Sequence, residues 1–418
     1  MRKTGTANKD GGIRGKVKTM SQKRRRSNTK EAIQNAATAS SSSVGIFDKD
    51  IVCDILSRLP AKSIVRFKCV SKYWCTLIQD PYFSDLHFTR SKTCKRLLFI
   101  VPPLKSQPKN RTAVTNYKEY PVCFKTADLL SEGKGRVLST IHTIRRSKSF
   151  QCSEILGAVN GLICFIEDSE DAACIFNIST REVTPWIIST LRDDAEYFPF
   201  AHGLGFDPAT NQYKVICIWE AVKEEGGHTI FGPIVCEVLT LGDNSWRRID
   251  EVPSLPFRYR LASPSVYVNG SIYWLPDMIE SDNMKDGDIM FILAIDVGSQ
   301  KFRKIRIPKF IVDQCFHCHY GSLFEQRGRL SEVNGCLAIS RSIRASAVKL
   351  WIHDDNHRTS TETGNENWTE HTLTLSSSVG TNPVQALYCD SIAGTNQLIL
   401  EIHQTKSNCD IKYVSLFL

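Results

Sequence analysis

The chain has 418 residues, 42% of them apolar and 23% charged. That is too long for one ordinary domain and ample for sizeable cores, so two or more folded units are expected. The formal charge of +9 is concentrated in residues 1–30, which hold eleven Lys/Arg against the single acid Asp10, a balance of +10 that leaves −1 for the rest; no nucleic-acid partner is expected of the folded part. No apolar run reaches the eighteen or so residues of a membrane helix, so no membrane partner is expected. The fifteen cysteines stand singly in apolar runs, and no n-region with a following apolar h-region opens the chain, which points to a reducing compartment with thiols acting as small core hydrophobes.

Residues 1–43 are rich in Lys, Arg, Gly, Ser and Thr and end in "AATASSSS". Such a composition buries too little apolar surface to offset the entropy of ordering, and a disordered basic tail is expected. Within it Lys23 to Arg26 reads as an import signal, placing the protein in the cytoplasm, the nucleus or both.

A short helical module follows, over 44–90. In "DKDIVCDILSRLP", Ile51, Ile55 and Leu59 recur every four residues with Val52 and Leu56 beside them, Asp48 is the N-cap, and Pro60 ends the helix. "SIVRFKCV" repeats the device with Ser63 as cap, and "SKYWCTLIQDP" repeats it again with Ser71 as cap. Three helices in about forty residues cannot enclose a stable core alone, so the module needs a partner or a neighbouring domain.

From residue 95 to 418 the period changes to two. Val159-Asn160-Gly161, Val268-Asn269-Gly270 and Val333-Asn334-Gly335 each separate apolar runs, and Asn-Gly supplies the two positive-φ residues of a type I′ hairpin turn. Second hairpins follow, in "CIFNISTREVTPW", "CEVLTLGDNSWRRI", "ILAIDVGSQKFRKI" and "VKLWIHDD". Two hairpins make a four-stranded unit of about fifty residues, the size of a kelch-type propeller blade. Turns near 160, 208, 269, 334 and 395 mark five units, and 95–150 supplies a further candidate. In "QYKVICIW" both faces are apolar, as in a strand held between blades. Pairing the closing "IKYVSLFL" with the early "KRLLFIV" would remove an open edge. The expected architecture is thus multidomain and mainly β, a small helical unit followed by a kelch-like β-propeller-type domain, with an elongated β-sandwich repeat as the alternative.

The segment "FDKDIVCDILSRLPAKSIVRFKCVSKYWCTLIQDPYFSDLHF" resembles an F-box, and "GLGFDPATNQYKVICI", "FNISTREVTP", "SPSVYVNGSIYWL" and "ILAIDVGSQKFRKI" resemble the F-box-associated domain of plant F-box proteins. The likeness covers about residues 46–418. It departs from the family at Phe47-Asp48, where Leu-Pro is usual, and at Ile178, where the family has Pro. The resemblance implies that the helical module docks on a Skp-type adaptor, and through it a cullin scaffold, while the β domain selects the protein to be ubiquitinated. Carried over by position, adaptor-facing roles fall on Phe47, Ile51, Ile55, Leu56, Leu59, Pro60, Val70 and Trp74.

Chemistry-bearing motifs are few. Cys315 to His319, "CFHCH", has the Cys-x-x-Cys-His spacing of haem attachment and of half a zinc site, but no second Cys-x-x-Cys exists, so chance spacing is the simpler reading and no cofactor or metal is expected. Asp193-Asp194 and Asp354-Asp355 read as turn residues. No nucleophile elbow, phosphate-binding Gly-rich loop or His-Glu-x-x-His helix occurs, and no catalytic residue is assigned. Trp246, Trp274, Trp351 and Trp368 recur at comparable points of successive units, as core residues do. Substrate selection is expected on the long loops 220–232, 277–289, 309–329 and 354–368. A propeller enzyme or carbohydrate-binding module with an incidental helical preface is the rival reading, and a nuclear factor with a nucleic-acid-binding tail is a third.

Overall fold

The computed structural model describes residues 48–91, 96–101, 122–128, 136–144, 154–167, 171–192, 197–225, 228–253, 255, 259–278, 290–315, 328–344, 347–354, 367–374, 384–391, 397–404 and 413–417. The tail 1–43, Phe47, Asp193, Asp194, Asp355, Cys318, His319 and the turn near 395 lie outside them. The chain divides into two units, Met1–Thr93 and Cys94–Leu418.

In the first unit the Asp48 carboxylate accepts from the Asp50 backbone N–H at 3.2 Å and opens helix α1, Lys49–Ser57, as a cap residue does. Helix α2, Ala61–Phe67, starts directly after Pro60, so Ser63 lies inside it and is not its cap. Ser71 does cap α3, Lys72–Gln79, accepting from Trp74 N at 3.2 Å. A fourth helix, α4 (Pro81–Ser91), takes up the segment beyond the three expected ones: Asp80 Oδ1 accepts from Tyr82 N at 3.0 Å and Pro81 holds the first helical position. Val52, Cys53, Leu56, Ile64, Leu77, Ile78 and Phe83 form the core of the four helices.

Among the described residues the second unit contains six antiparallel sheets. Their strands are β1 (Arg96–Val101), β2 (Val122–Asp128) and β3 (Arg136–Ile144); β4 (Glu154–Val159), β5 (Leu162–Glu167), β6 (Ala172–Asn177) and β7 (Ile187–Ile188); β8 (Tyr197–Asp207), β9 (Gln212–Glu225), β10 (His228–Thr240) and β11 (Arg247–Ile249); β12 (Tyr259–Val268), β13 (Ser271–Met278), β14 (Phe291–Asp296) and β15 (Phe302–Arg306); β16 (Arg329–Val333), β17 (Cys336–Arg344), β18 (Ala347–His353) and β19 (Trp368–Thr374); and β20 (Val384–Ser391), β21 (Gln397–Gln404) and β22 (Tyr413–Phe417). Each sheet is a meander of sequence neighbours. First strands meet first strands, β4 with β8 and β12, β12 with β8 and β16, and β16 with β20, which is how propeller blades converge on an axis. The region 95–150 supplies a three-stranded sheet, β1-β2-β3. Among the described residues the expected pairing of the chain's two extreme strands is not present: β1 pairs with β2 and β22 with β21, as edge strands of separate three-stranded sheets.

The cores lie between blades. Val215, Cys217 and Trp219 of β9 face Cys164, Ile166 and Leu156 of the second sheet, while Ile216 and Ile218 face Ile272, Trp274 and Leu293 of the fourth, as the two apolar faces of "QYKVICIW" require. Trp246, Trp274, Trp351 and Trp368 are all buried. The first three donate their Nε1–H to the Ile187 carbonyl at 3.0 Å, the His202 carbonyl at 2.9 Å and Glu370 Oε2 at 2.9 Å.

Two acids are buried with their partners. Asp207 accepts from Thr210 Oγ1 at 2.6 Å, Ala209 N at 3.0 Å and Lys214 Nζ at 3.2 Å, and Lys214 also donates to the Val297 carbonyl of the next blade at 3.0 Å. The Thr210 hydroxyl, with help from Lys214 and the Ala209 N–H, holds the Asp207 carboxyl below its ordinary range. Stability from a depressed carboxylate is present above its unfolded value, near about 4, and is lost as pH falls through the folded one. Urea midpoints of wild type and Asp207→Asn are therefore expected to differ at pH 7 and to converge as the pH is lowered below about 4. Glu237, fully buried, accepts from Ser189 Oγ at 2.6 Å and Thr190 N at 3.3 Å and from the Thr190 hydroxyl. Glu237→Ala leaves these donors unmet and is expected to cost about 2–3 kcal/mol in denaturant unfolding.

Candidate functional surfaces

Helix α1 is apolar over a wider arc than its neighbours cover. Its inner side, Val52, Cys53 and Leu56, is buried, yet Ile51 and Ile55, one turn apart, are 53% and 55% exposed, and Val70 beyond α2 is 61% exposed. Tyr73 and Tyr82 are exposed as well. Large apolar side chains left in water on so small a unit mark a surface meant to be covered. Of the residues carried over by position, Ile51, Ile55, Pro60 and Val70 are exposed and Leu59 is half-buried. Leu56 is 1% exposed and belongs to the helical core, so its part is to hold α1 in place. Trp74 is half-buried and stacks on Phe67, ring centroids 5.2 Å apart.

Ion pairs and hydrogen bonds link the helices of this unit. Asp54 accepts from Arg58 Nε at 3.2 Å and from the Arg90 guanidinium, which also donates to the Asp54 carbonyl at 2.9 Å and to the Ser57 hydroxyl. Arg58, then Arg90, keeps the Asp54 carboxyl below its usual range. Lys49 Nζ reaches Asp80 at 2.9 Å, and His87 Nε2 lies 3.0 Å from the Leu59 carbonyl. These contacts join α4 to α1 and the start of α1 to the α3–α4 corner.

The propeller has two unlike ends, because in a four-stranded meander connections alternate between them. At one end the Asn-Gly turns are tight: φ is +49° and +85° at Asn160 and Gly161, +44° and +84° at Asn269 and Gly270, and +51° and +81° at Asn334 and Gly335, the type I′ signature. Neighbouring turns interlock there, Asn269 Nδ2 donating to the Gly335 carbonyl at 2.7 Å. The opposite end takes the β5–β6, β7–β8, β9–β10, β11–β12, β13–β14, β15–β16 and β17–β18 connections. Of the four loops expected to select substrate, 220–232, 277–289 and 309–329 leave from this end, and 354–368, joining β18 to β19, leaves from the other. Part of 309–329 is helical, as α5 (Lys309–Cys315).

Cys53, Cys164, Cys174, Cys217, Cys236 and Cys315 are buried, and none of the described cysteines is in a disulfide. Burial pushes the Cys236 thiol up to about 12 and raises those of Cys164 and Cys217 above their ordinary range as well, which makes them inert packing groups. Cys315 is buried in the core shared with Ile311 and Ile339.

Compared with known families, residues 47–86 match the F-box domain and residues 92–417 match the F-box associated beta propeller domain. Among curated relatives, one F-box protein of Arabidopsis thaliana is 30% identical over 272 residues, 62% of this chain and 60% of the relative. A second from the same plant is 26% identical over 342 residues, 78% of this chain and 71% of the relative.

Proposed function

The chain belongs to the family that joins an F-box to an F-box associated beta propeller domain, and on that premise we propose that it is the substrate-recognition subunit of an SCF-type cullin-RING ubiquitin ligase. The F-box docks on a Skp-type adaptor and through it on a cullin scaffold; the propeller, which we read as kelch-like, binds the protein to be ubiquitinated. The observation that carries this reading is the exposed apolar set Ile51, Ile55 and Val70 on a helical unit whose own core is already complete. The role is non-catalytic: the subunit positions a substrate, and transfer chemistry belongs to the enzymes it recruits. We also propose entry into the nucleus through Lys23 to Arg26.

The test is co-expression of the full chain with a Skp-type adaptor and a cullin, followed by size-exclusion chromatography. A co-eluting complex is expected. A chain that elutes alone, and that turns over or retains glycans by itself, would replace this reading with that of a propeller enzyme or lectin.

A further inference from the structure

Between the second and third sheets lies a cavity of about 10 Å³. The second sheet contributes Asp171 and Ala172 to its lining, and the third contributes His202, Cys217 and Trp219. Its walls are held from behind. The Asp171 carbonyl accepts from Ser189 N at 2.8 Å, the His202 carbonyl accepts from Trp274 Nε1 at 2.9 Å, and His202 Nδ1 lies 3.0 Å from Glu154 Oε2 across the seam between the sheets.

One polar group in this lining is left over. Trp219 is 2% exposed, yet its Nε1–H meets no acceptor among the described residues. Trp246, Trp274 and Trp351 each place the same N–H on a carbonyl or carboxylate oxygen, so Trp219 departs from the way this chain buries its other indoles. A buried donor loses its hydration and needs a bond in return, which is why unmatched ones are rare. The cavity beside it has room for one water and nothing larger.

The chemistry of the walls selects among occupants of that size. An anion would face the Asp171 carboxylate and, behind the His202 ring, that of Glu154. A cation would face the positive end of the indole N–H. An apolar atom would leave the donor unmatched. A neutral molecule that both accepts and donates satisfies every group: with Nδ1–H given to Glu154, the neutral His202 ring keeps Nε2 as an acceptor, and Asp171 supplies a second. Burial, with neighbouring carboxylates that include Asp171, raises the Cys217 thiol well above its ordinary range, so that wall stays uncharged.

We propose that one water occupies this cavity, accepting from Trp219 Nε1–H and donating to His202 Nε2 and Asp171, and so completes a polar seam between the second and third blades. Such a bridge is nearly as favourable as direct hydrogen bonds between the groups it joins. Trp219 immediately precedes the segment 220–232, so the water anchors the root of a segment expected to select substrate. The inference goes beyond the proposed function and holds whatever that segment binds.

The test is magnetisation transfer from water to indole protons in the deuterated full chain carrying 15N-tryptophan, with Trp219→Phe used only to assign its signal. Trp219 Nε1–H is expected to show a water cross-peak whose sign differs between the laboratory and rotating frames, as transfer from a held water does; proton exchange gives equal signs. Trp274 and Trp351, whose N–H groups are bonded to protein oxygens, should show none. Ala172→Val, which adds two methyl groups to the wall, is expected to displace the water and abolish the Trp219 cross-peak in a chain whose circular dichroism is unchanged. Absence of the cross-peak in folded wild type overturns the proposal, whether the cavity is dry or the indole has found a protein acceptor. That result stands even where the valine variant does not fold. A cross-peak that persists at full strength in folded Ala172→Val places the water elsewhere and overturns the proposal too, as does a crystal structure that shows a cation at the site.

Discussion

Alanine at both Gly203 and Gly205 is expected to lower the melting temperature of the propeller sharply, whereas Gly157→Ala leaves it nearly unchanged. Strand β8 passes its backbone directly over side chains of the fourth sheet. A Cβ on Gly203 would stand 2.6 Å from Ile272 Cγ2 and 2.8 Å from Trp274 Cζ2, and one on Gly205 2.5 Å from Val297 Cγ2 and 2.9 Å from Ile272 Cδ1. Carbon pairs prefer about 3.5–4.0 Å. The neighbours cannot swing aside, since Ile272, Trp274 and Val297 are buried and Trp274 is pinned through its Nε1 to the His202 carbonyl. Each added methyl is worth about 1–3 kcal/mol of overpacking, and because both meet Ile272 the two effects couple. At Gly157, also in a first strand, nothing lies within 4 Å of the added Cβ. Thermal melting followed by near-ultraviolet circular dichroism separates the cases, and equal melting of the two variants would show that β8 does not seat as described.

Ile51→Asp with Ile55→Asp is expected to abolish capture of a Skp-type adaptor while the helical unit stays folded. Both side chains are more than half exposed, so the core of Val52, Leu56, Ile64, Leu77 and Phe83 keeps its contacts. Each is worth about 1.5–3 kcal/mol when covered by a partner, and the new carboxylates would be buried without counter-charges; an affinity loss of about a hundred-fold or more follows. Leu56→Ala is the informative contrast. It removes a core residue, with a cost of about 2–5 kcal/mol, and should lose adaptor together with helical signal. Capture of adaptor by the folded Asp variant, at wild-type strength, would move the docking surface away from α1.

What the chain announces in advance is local chemistry. Asp48 and Ser71 cap the helices they precede, and the Asn-Gly pairs make the turns they spell, because each signal acts within a few residues. Asp80-Pro81 was an equally local start signal for α4, masked by the weak amphipathicity of "PYFSDLHF". The stripe on α1 shows where local reading stops. Periodicity marks Ile51, Val52, Ile55 and Leu56 alike as apolar, and only packing separates Leu56, which faces the core, from the isoleucines that do not. Asp207, Lys214 and Glu237 look like surface residues in the sequence; their burial depends on donors and carbonyls from other strands and neighbouring blades. The split of the long loops between two ends follows from strand order, which composition does not encode.

Sharing each core between two blades has a consequence for synthesis. A blade emerging from the ribosome holds one finished face and one that waits for its successor: Ile216 and Ile218 of β9 stay uncovered until Ile272 and Trp274 of the next sheet have been made. At ~5–20 residues per second the roughly fifty residues of a blade take about 3–10 s, so the growing chain carries an adhesive apolar face at its leading edge through most of its translation. Conditions that stall elongation within a blade should therefore raise aggregation of nascent chains more than conditions that slow initiation, with the exposed face passed forward one blade at a time.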